Sequence, residues 1–482
     1  MITYESIGIK LGTTEIDKNN LHQMMITKKI NDHVGLYLTG VVPEDQQDKY
    51  AENSDAETVI EVNTGTGEET IPLFKGIISD IAIKMVRDVY YFEIEARSYT
   101  CLLDVERKSR PFQDKDIGYS DLINQIIGSN AICNYQGSES QKLGTLLIQY
   151  RETDWELLKR MASTFHTGLV AFAGSDAQAA GNKPQFWFGI PEGKQRSIAD
   201  KLHYTVHKKI GVYRQLVANS GSDVNEIDLM NYEMQTDDFF NIGDTVKFKE
   251  QTLYVCESRA EIEGGILVLK CVLTPKNGLQ QERLVNTQLI GAVLEGQVSD
   301  ISKDQVQVHL LLGENKDDGK AYWFPYLTPY TAEGNTGQYW MPEKNDYVKV
   351  QFPSATEGDG VACASIRRSN NSNDKTSDAT VKYFRTANGK EIMFGEKEIV
   401  ISAEDDKVLV RINQENGVEI YSEQPVSIQG KEITIKGKEG VTIESEKELT
   451  ISGSSKVDIK CKGSEIQMDG STQIAGSQVK IG

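Results

Sequence analysis

A period of eight residues governs the last part of this 482-residue chain. Apolar residues two apart recur as Val418 and Ile420, Val426 and Ile428, Ile433 and Ile435, Val441 and Ile443, Leu449 and Ile451, Val457 and Ile459, and Ile466 and Met468. Successive first members lie 8, 7, 8, 8, 8 and 9 residues apart. Upstream, Ile399 and Ile401, then Val408, Val410 and Ile412, extend the series with looser spacing; Ile474, Val479 and Ile481 finish it. Residues two apart share one face of a strand. The intervening Gly, Ser, Lys and Glu suit a turn every eight residues, and the β-branched bias argues against helix. Each unit therefore reads as a short strand with one apolar face, then a corner. No hairpin dipeptide such as Asn-Gly recurs at the period, which argues against an antiparallel meander.

Two apolar side chains per strand make a thin core, and units that cannot bury their face alone must stack on neighbours. Several identical chains wound round a shared axis solve the problem. A threefold prism pools the inward pairs of three faces, with Val418, Ile420, Ile433, Ile435, Val441, Ile443, Leu449, Ile451, Val457 and Ile459 as the expected needle core. A single-chain β-solenoid is the alternative, but its coils are usually longer, about 20 residues.

Charge excludes one class of partner. The 52 Lys and Arg face 71 Asp and Glu, a net of −19, and an acidic chain repels phosphate backbones, so nucleic acid is not expected. Residues 381–482 hold 14 basic and 17 acidic residues, so −16 of the total lies in residues 1–380. That charge reads as surface solubility or as an acidic face that meets a basic partner in an assembly. No apolar run reaches the roughly 18 residues of a membrane helix, and no basic-then-apolar leader opens the chain, so synthesis in the cytoplasm without a signal peptide is expected. The scattered cysteines form no CxxC pair and read as reduced thiols.

Residues 285–368 alternate strongly, as in Val306-Gln307-Val308-His309-Leu310 and Tyr347-Val348-Lys349-Val350-Gln351-Phe352. About five strands in this length predict a small barrel of the OB type. Its aromatics, Tyr322, Trp323, Phe324, Tyr326, Tyr330, Tyr339 and Trp340, lack the basic groove of a base-stacking platform, and are expected to pack the barrel and its contacts with neighbours. Residues 1–284 mix strands with two helices. One covers Ser120–Ile127. The other starts at Thr153, whose partner Glu156 three positions on completes a capping box, with Trp155, Leu158, Ala162 and Phe165 at helical spacing. Residues 171–184 read as a surface insertion. Leu253–Cys256 and Ile266–Cys271 read as a hairpin that brings Cys256 near Cys271 as an unbonded pair. Residues 369–380 are a polar linker, and 381–482 the repeat.

No catalytic pattern rises above background. His203 and His207 lack the Glu of the zinc-protease motif and sit in a strand-like stretch; Gly65-Thr66-Gly67 lacks the Lys of a P-loop; no GxSxG occurs. No enzyme, cofactor or metal site is predicted.

The segment Arg151-Glu152-Thr153-Asp154-Trp155-Glu156-Leu157-Leu158-Lys159-Arg160-Met161-Ala162 resembles the hub motif of VgrG-type spike proteins of contractile injection systems. In the barrel, Gly296–Asp300, Val306–Val308, Trp323–Tyr326, Thr328–Tyr330 and Met341–Val350 follow that family's order. The resemblance implies a mainly β protein with some α: a mixed β-barrel hub, an OB-like collar and an intertwined trimeric β-helix needle. It implies a homotrimer whose hub caps the tail tube, held by baseplate proteins, and whose needle is driven through a target envelope by sheath contraction. The spike is then ejected to the extracellular space or into the target cell.

Family members commonly carry a PAAR-type cone on the needle's blunt end, and some carry secreted effectors. No His follows His309, so a metal-chelating tip is not expected. Ile474, Val479, Lys480, Ile481 and Gly482 are instead expected to form a flat apolar end, rimmed by Lys480, that a separate cone covers. The sequence stops directly after the last pair, so no fused effector is expected. A trimeric fibre or adhesin-like module that binds surfaces is the alternative reading.

Overall fold

The protein is described here from a computed structural model, which describes residues 7–46, 49–65, 71–137, 140–173, 182–198, 203–220, 224–236, 238–263, 265–313, 320–331, 334, 336–368, 374–404, 407–455, 457, 462 and 476–478. The chain divides into two compact units, residues 1–370 and 371–482.

The first unit is built on a 13-stranded sheet. Its strands alternate buried residues with exposed ones in Ile7–Leu11 and with half-buried ones in Gly35–Val42. Registered pairing stacks those buried residues into rows. Met24 faces Leu38, Leu38 faces Ile94, and Ile94 faces Ile81 across four adjacent strands. The order runs from Tyr204–Lys208 at one edge to Thr14–Ile16 at the other, and no pairing among the described residues joins those ends. The expected hub barrel is thus an open sheet in its strand order, with the exposed strand Tyr204–Lys208 left as an edge.

The helices Tyr119–Ile127 and Asp154–Ser163 pack into the same apolar core. The hairpin Gln251–Glu263 and Ile266–Thr274 lies within the large sheet. Gly243 opens the strand Thr245–Phe248 at φ +90, where a Cβ would lie 2.1 Å from the Pro191 carbonyl oxygen. Most of the expected insertion, residues 174–181, lies outside the described residues.

Residues 293–366 form a separate five-stranded antiparallel sheet, in the order Tyr322–Pro325, Gln305–Leu310, Val293–Ser302, Tyr347–Gln351, Val361–Ile366. A parallel bridge between Tyr326 and Ala362 draws its outer strands together, and the Leu327 N–H donates to the Ala362 carbonyl at 2.8 Å. Phe324 is fully buried, whereas Trp323, Tyr330, Tyr339 and Trp340 are exposed.

The second unit departs from the expected octad winding at its start. Lys382–Arg385, Glu391–Phe394, Glu398–Glu404, Val408–Asn413 and Gly417–Ser422 pair in sequence as an antiparallel meander within one chain. The reason is local turn chemistry. Asn388-Gly389 and Asn416-Gly417 sit between these strands, with Gly389 at φ +77 and Gly417 at φ +82. No Asn-Gly follows in the chain. Beyond Ser422 the described residues contain no strand.

Candidate assembly surface

The meander sorts its side chains into two cross-strand apolar rows. Phe384, Ile392, Ile401, Val410 and Ile420 are successive register partners, and Phe394, Ile399, Ile412 and Val418 form the adjacent row. Rows of this kind normally face a core. Here Phe384, Ile392, Phe394, Ile399, Ile401, Ile412, Val418 and Ile420 are all exposed. The opposite face holds the buried Leu409, and Glu391, whose carboxylate accepts from Lys375 at 2.9 Å and Arg385 at 2.8 Å.

The octads downstream share the same lack of cover. Ile433, Ile435, Val441, Ile443, Leu449, Ile451 and Val457 are exposed, Ile435 by 70% and Ile443 by 62%. A run of exposed apolar side chains of this kind marks an association surface. Of the residues predicted for the needle core and tip, Ile459, Ile474, Val479, Lys480, Ile481 and Gly482 lie outside the described residues.

Several side chains of the segment 151–162 bond to or pack on distant parts of the first unit. Thr153 caps its helix: its hydroxyl accepts from the Glu156 N–H at 3.0 Å, and the Glu156 carboxylate accepts from the Thr153 N–H at 2.9 Å. The Trp155 ring is 4.7 Å from that of His33 and 5.6 Å from that of Phe186. Asp154 takes Lys108 at 2.7 Å and Arg110 at 2.6 Å. Arg160 is buried and bonds to Glu152 and Glu357. The capping box was readable from spacing, but the Glu357 partner, 197 residues away, was not.

Other candidates in the first unit bind their own neighbours. A cleft of about 680 Å³ is lined by Lys28, Phe172, Trp187, Arg196, Phe239 and Asp244, among others. Lys28 donates to Asn241 at 3.0 Å and Arg196 to Asp244 at 2.7 Å. His203 and His207 are exposed, and His207 faces Glu233 at 3.8 Å. Cys256 and Cys271 are free thiols; the Cys256 thiol donates to the Val272 carbonyl at 3.3 Å. Burial pushes the Cys256 thiol up to about 11 and that of Cys271 up to about 12. Among the described residues no group of three His, Cys, Asp or Glu is placed to hold a metal ion, and no helix is long and apolar enough to cross a membrane.

The family model described as the Alg8 N-terminal domain matches residues 6–180, somewhat over a third of the chain. No curated protein matches. Several solved structures share the fold. The E. coli c3393 protein, a type VI secretion component with structural similarity to the T4 bacteriophage tail proteins gp27 and gp5, aligns at TM-score 0.51 and 11% identity, over 74% of this chain and 99% of that one. A Francisella PdpA–VgrG complex in its half-lidded form aligns at TM-score 0.53 and 9% identity, over 86% and 87%. A lidless PdpA–VgrG complex aligns at 0.53 and 10%, over 86% and 97%. At these identities the likeness is one of fold, and the chain has the fold of VgrG-type spike proteins.

Proposed function

We propose that this chain is the hub-and-spike protein of a contractile injection machine, working as a homotrimer. The observation that carries this reading is the uncovered apolar face of the C-terminal unit. Three copies of the meander, set round a threefold axis, bury both rows against one another. Three copies of the octads then continue the shaft, each chain supplying its inward pair at every level. The outward Lys and Glu stay solvated. The hub caps the tail tube on a baseplate, and the five-stranded sheet closes as an OB-type collar. Sheath contraction drives the shaft through an envelope, carrying bound effectors with it. The role is mechanical and needs no catalytic group. A separate PAAR-type cone covers the end of the shaft at residues 474–482 and brings any metal with it. The likeness in fold to PdpA–VgrG complexes supports this reading.

Light scattering of the purified chain tests the assembly. The expected mass is about three times the 53.7 kDa of one chain. A folded monomer whose residues 418–457 resist proteolysis would overturn the proposal.

A further inference from the structure

One hub strand, Leu147–Glu152, belongs to two cores at once. Leu147 lies in the main hub core with Trp155 and Phe112. Leu146 and Ile148, both fully buried, lie in the core of the five-stranded sheet with Val308, Phe324 and Val350, and Tyr150 packs against the same cluster. Successive residues of a strand point to opposite faces, so this strand is a wall shared by both cores.

Polar bonds repeat the pattern. The buried Gln113 side chain donates to the Val308 carbonyl and accepts from the Leu310 N–H, both at 2.8 Å, as a neighbouring strand would. The Asn286 side-chain amide donates to the Tyr150 carbonyl at 2.8 Å. Arg160 completes the set. Its guanidinium donates to both Glu152 oxygens at 2.9 and 2.8 Å, to the Ile148 carbonyl at 2.8 Å and to Glu357 at 2.7 Å. Glu357 lies in the turn between Tyr347–Gln351 and Val361–Ile366. A buried charge is tolerated only when paired and hydrogen-bonded, and here the partners come from both sides of the wall.

We infer that the five-stranded sheet reaches its folded state only on the hub, with Ile148 and Arg160 as the residues that couple the two. Without the hub, its core lacks two fully buried side chains and Glu357 loses its cation. Thrust on either part then passes through a packed wall, not through the connecting chain alone. The inference holds whatever the oligomeric state.

Hydrogen exchange on the full-length chain, read by mass spectrometry peptide by peptide, tests it with Ile148→Ala and Glu357→Gln. In both variants the amides of Val293–Ser302 and Gln305–Leu310 should exchange faster, at least tenfold in Ile148→Ala. Those of Gly35–Val42 should keep their parental rate. Glu357→Gln leaves every hub residue intact, so it decides the matter if Ile148→Ala fails to fold. Parental protection of the five-stranded sheet in Glu357→Gln, or equal loss in both sheets of that variant, would overturn the inference.

Discussion

The indole Nε1–H of Trp155 donates to the main-chain carbonyl of Asn31 at 3.2 Å, tying the hub-motif helix to a turn 124 residues earlier. Asn31 sits at φ 69, and its side-chain oxygen accepts from the Leu169 N–H at 2.9 Å while its amide donates to Gln281 at 3.1 Å. One turn thus gathers the large sheet, the motif helix and, through Leu169, a three-stranded sheet of Leu169–Ala171, Gln185–Phe188 and Ile132–Tyr135. Trp155, 1% exposed, fills the space between them.

Replacing Trp155 by Ala leaves a large cavity and should cost about 3–5 kcal/mol of stability in the first unit. Trp155→Phe keeps much of the packing and loses the bond to Asn31, so a smaller loss, about 1–2 kcal/mol, is expected. Urea unfolding followed by circular dichroism measures both. If the two variants unfold alike, the hydrogen bond and not the ring volume is the anchor.

The acid limb of stability should carry a contribution from Asp104. Burial works to raise its carboxyl, but hydrogen bonds from His33 and Thr153 outweigh burial and hold it below the usual carboxylate range. A carboxylate lowered by folding adds stability that is complete above the unfolded value, about 3.9, and is lost as the pH falls through the folded value. Asp104→Asn should therefore be less stable at neutral pH and show a flatter stability profile below about pH 4. Denaturation midpoints between pH 7 and pH 2 check this, and parallel profiles for parent and variant would refute it.

Four thiols, Cys271 buried and Cys101, Cys133 and Cys256 half-buried, should be slow to react. Burial pushes Cys101 up to about 11 and Cys133 up to about 12, alongside Cys256 and Cys271. The thiolate is the nucleophile, so almost none is present near pH 8. A short iodoacetamide pulse on the native protein should leave these four unmodified, and guanidinium should expose them all. Rapid native alkylation at Cys133 would show that the three-stranded sheet holding Ile132–Tyr135 opens readily.

What the sequence disclosed follows from the range of the interactions. The capping box at Thr153, the alternation in Val306–Leu310 and the hairpin that holds Cys256 and Cys271 are local, and each is readable from spacing. The shared wall was half visible: Leu146-Leu147-Ile148 is an unbroken apolar run, which signals burial on both faces but not which two cores. The Arg160–Glu357 pair carries no local mark at all. The meander is not distinguished from an intertwined winding by its apolar pairs, because residues two apart look the same whether the next strand belongs to the same chain or another. Asn388-Gly389 and Asn416-Gly417 were the signs that separated the meander from the octads that follow.

The octad pairs give the sharpest test of the proposed trimeric shaft. Ile443 is 62% exposed in the single chain, and burial in a trimer would set three copies round one axis. Ile443→Asp then places three carboxylates in an apolar core with no cation to meet them. Burying an unpaired charge costs several kcal/mol per ion even after relaxation. The shaft should lose order and the chain should lose its trimeric mass, while the first unit, with its own cores, melts as in the parent. Glu444→Ala, at the neighbouring position that would face outward in such a trimer, should change neither mass nor melting. Scanning calorimetry and light scattering on the three proteins read both quantities. An Ile443→Asp variant that stays trimeric and keeps every parental transition would mean that these pairs face solvent and that other residues hold the chains together.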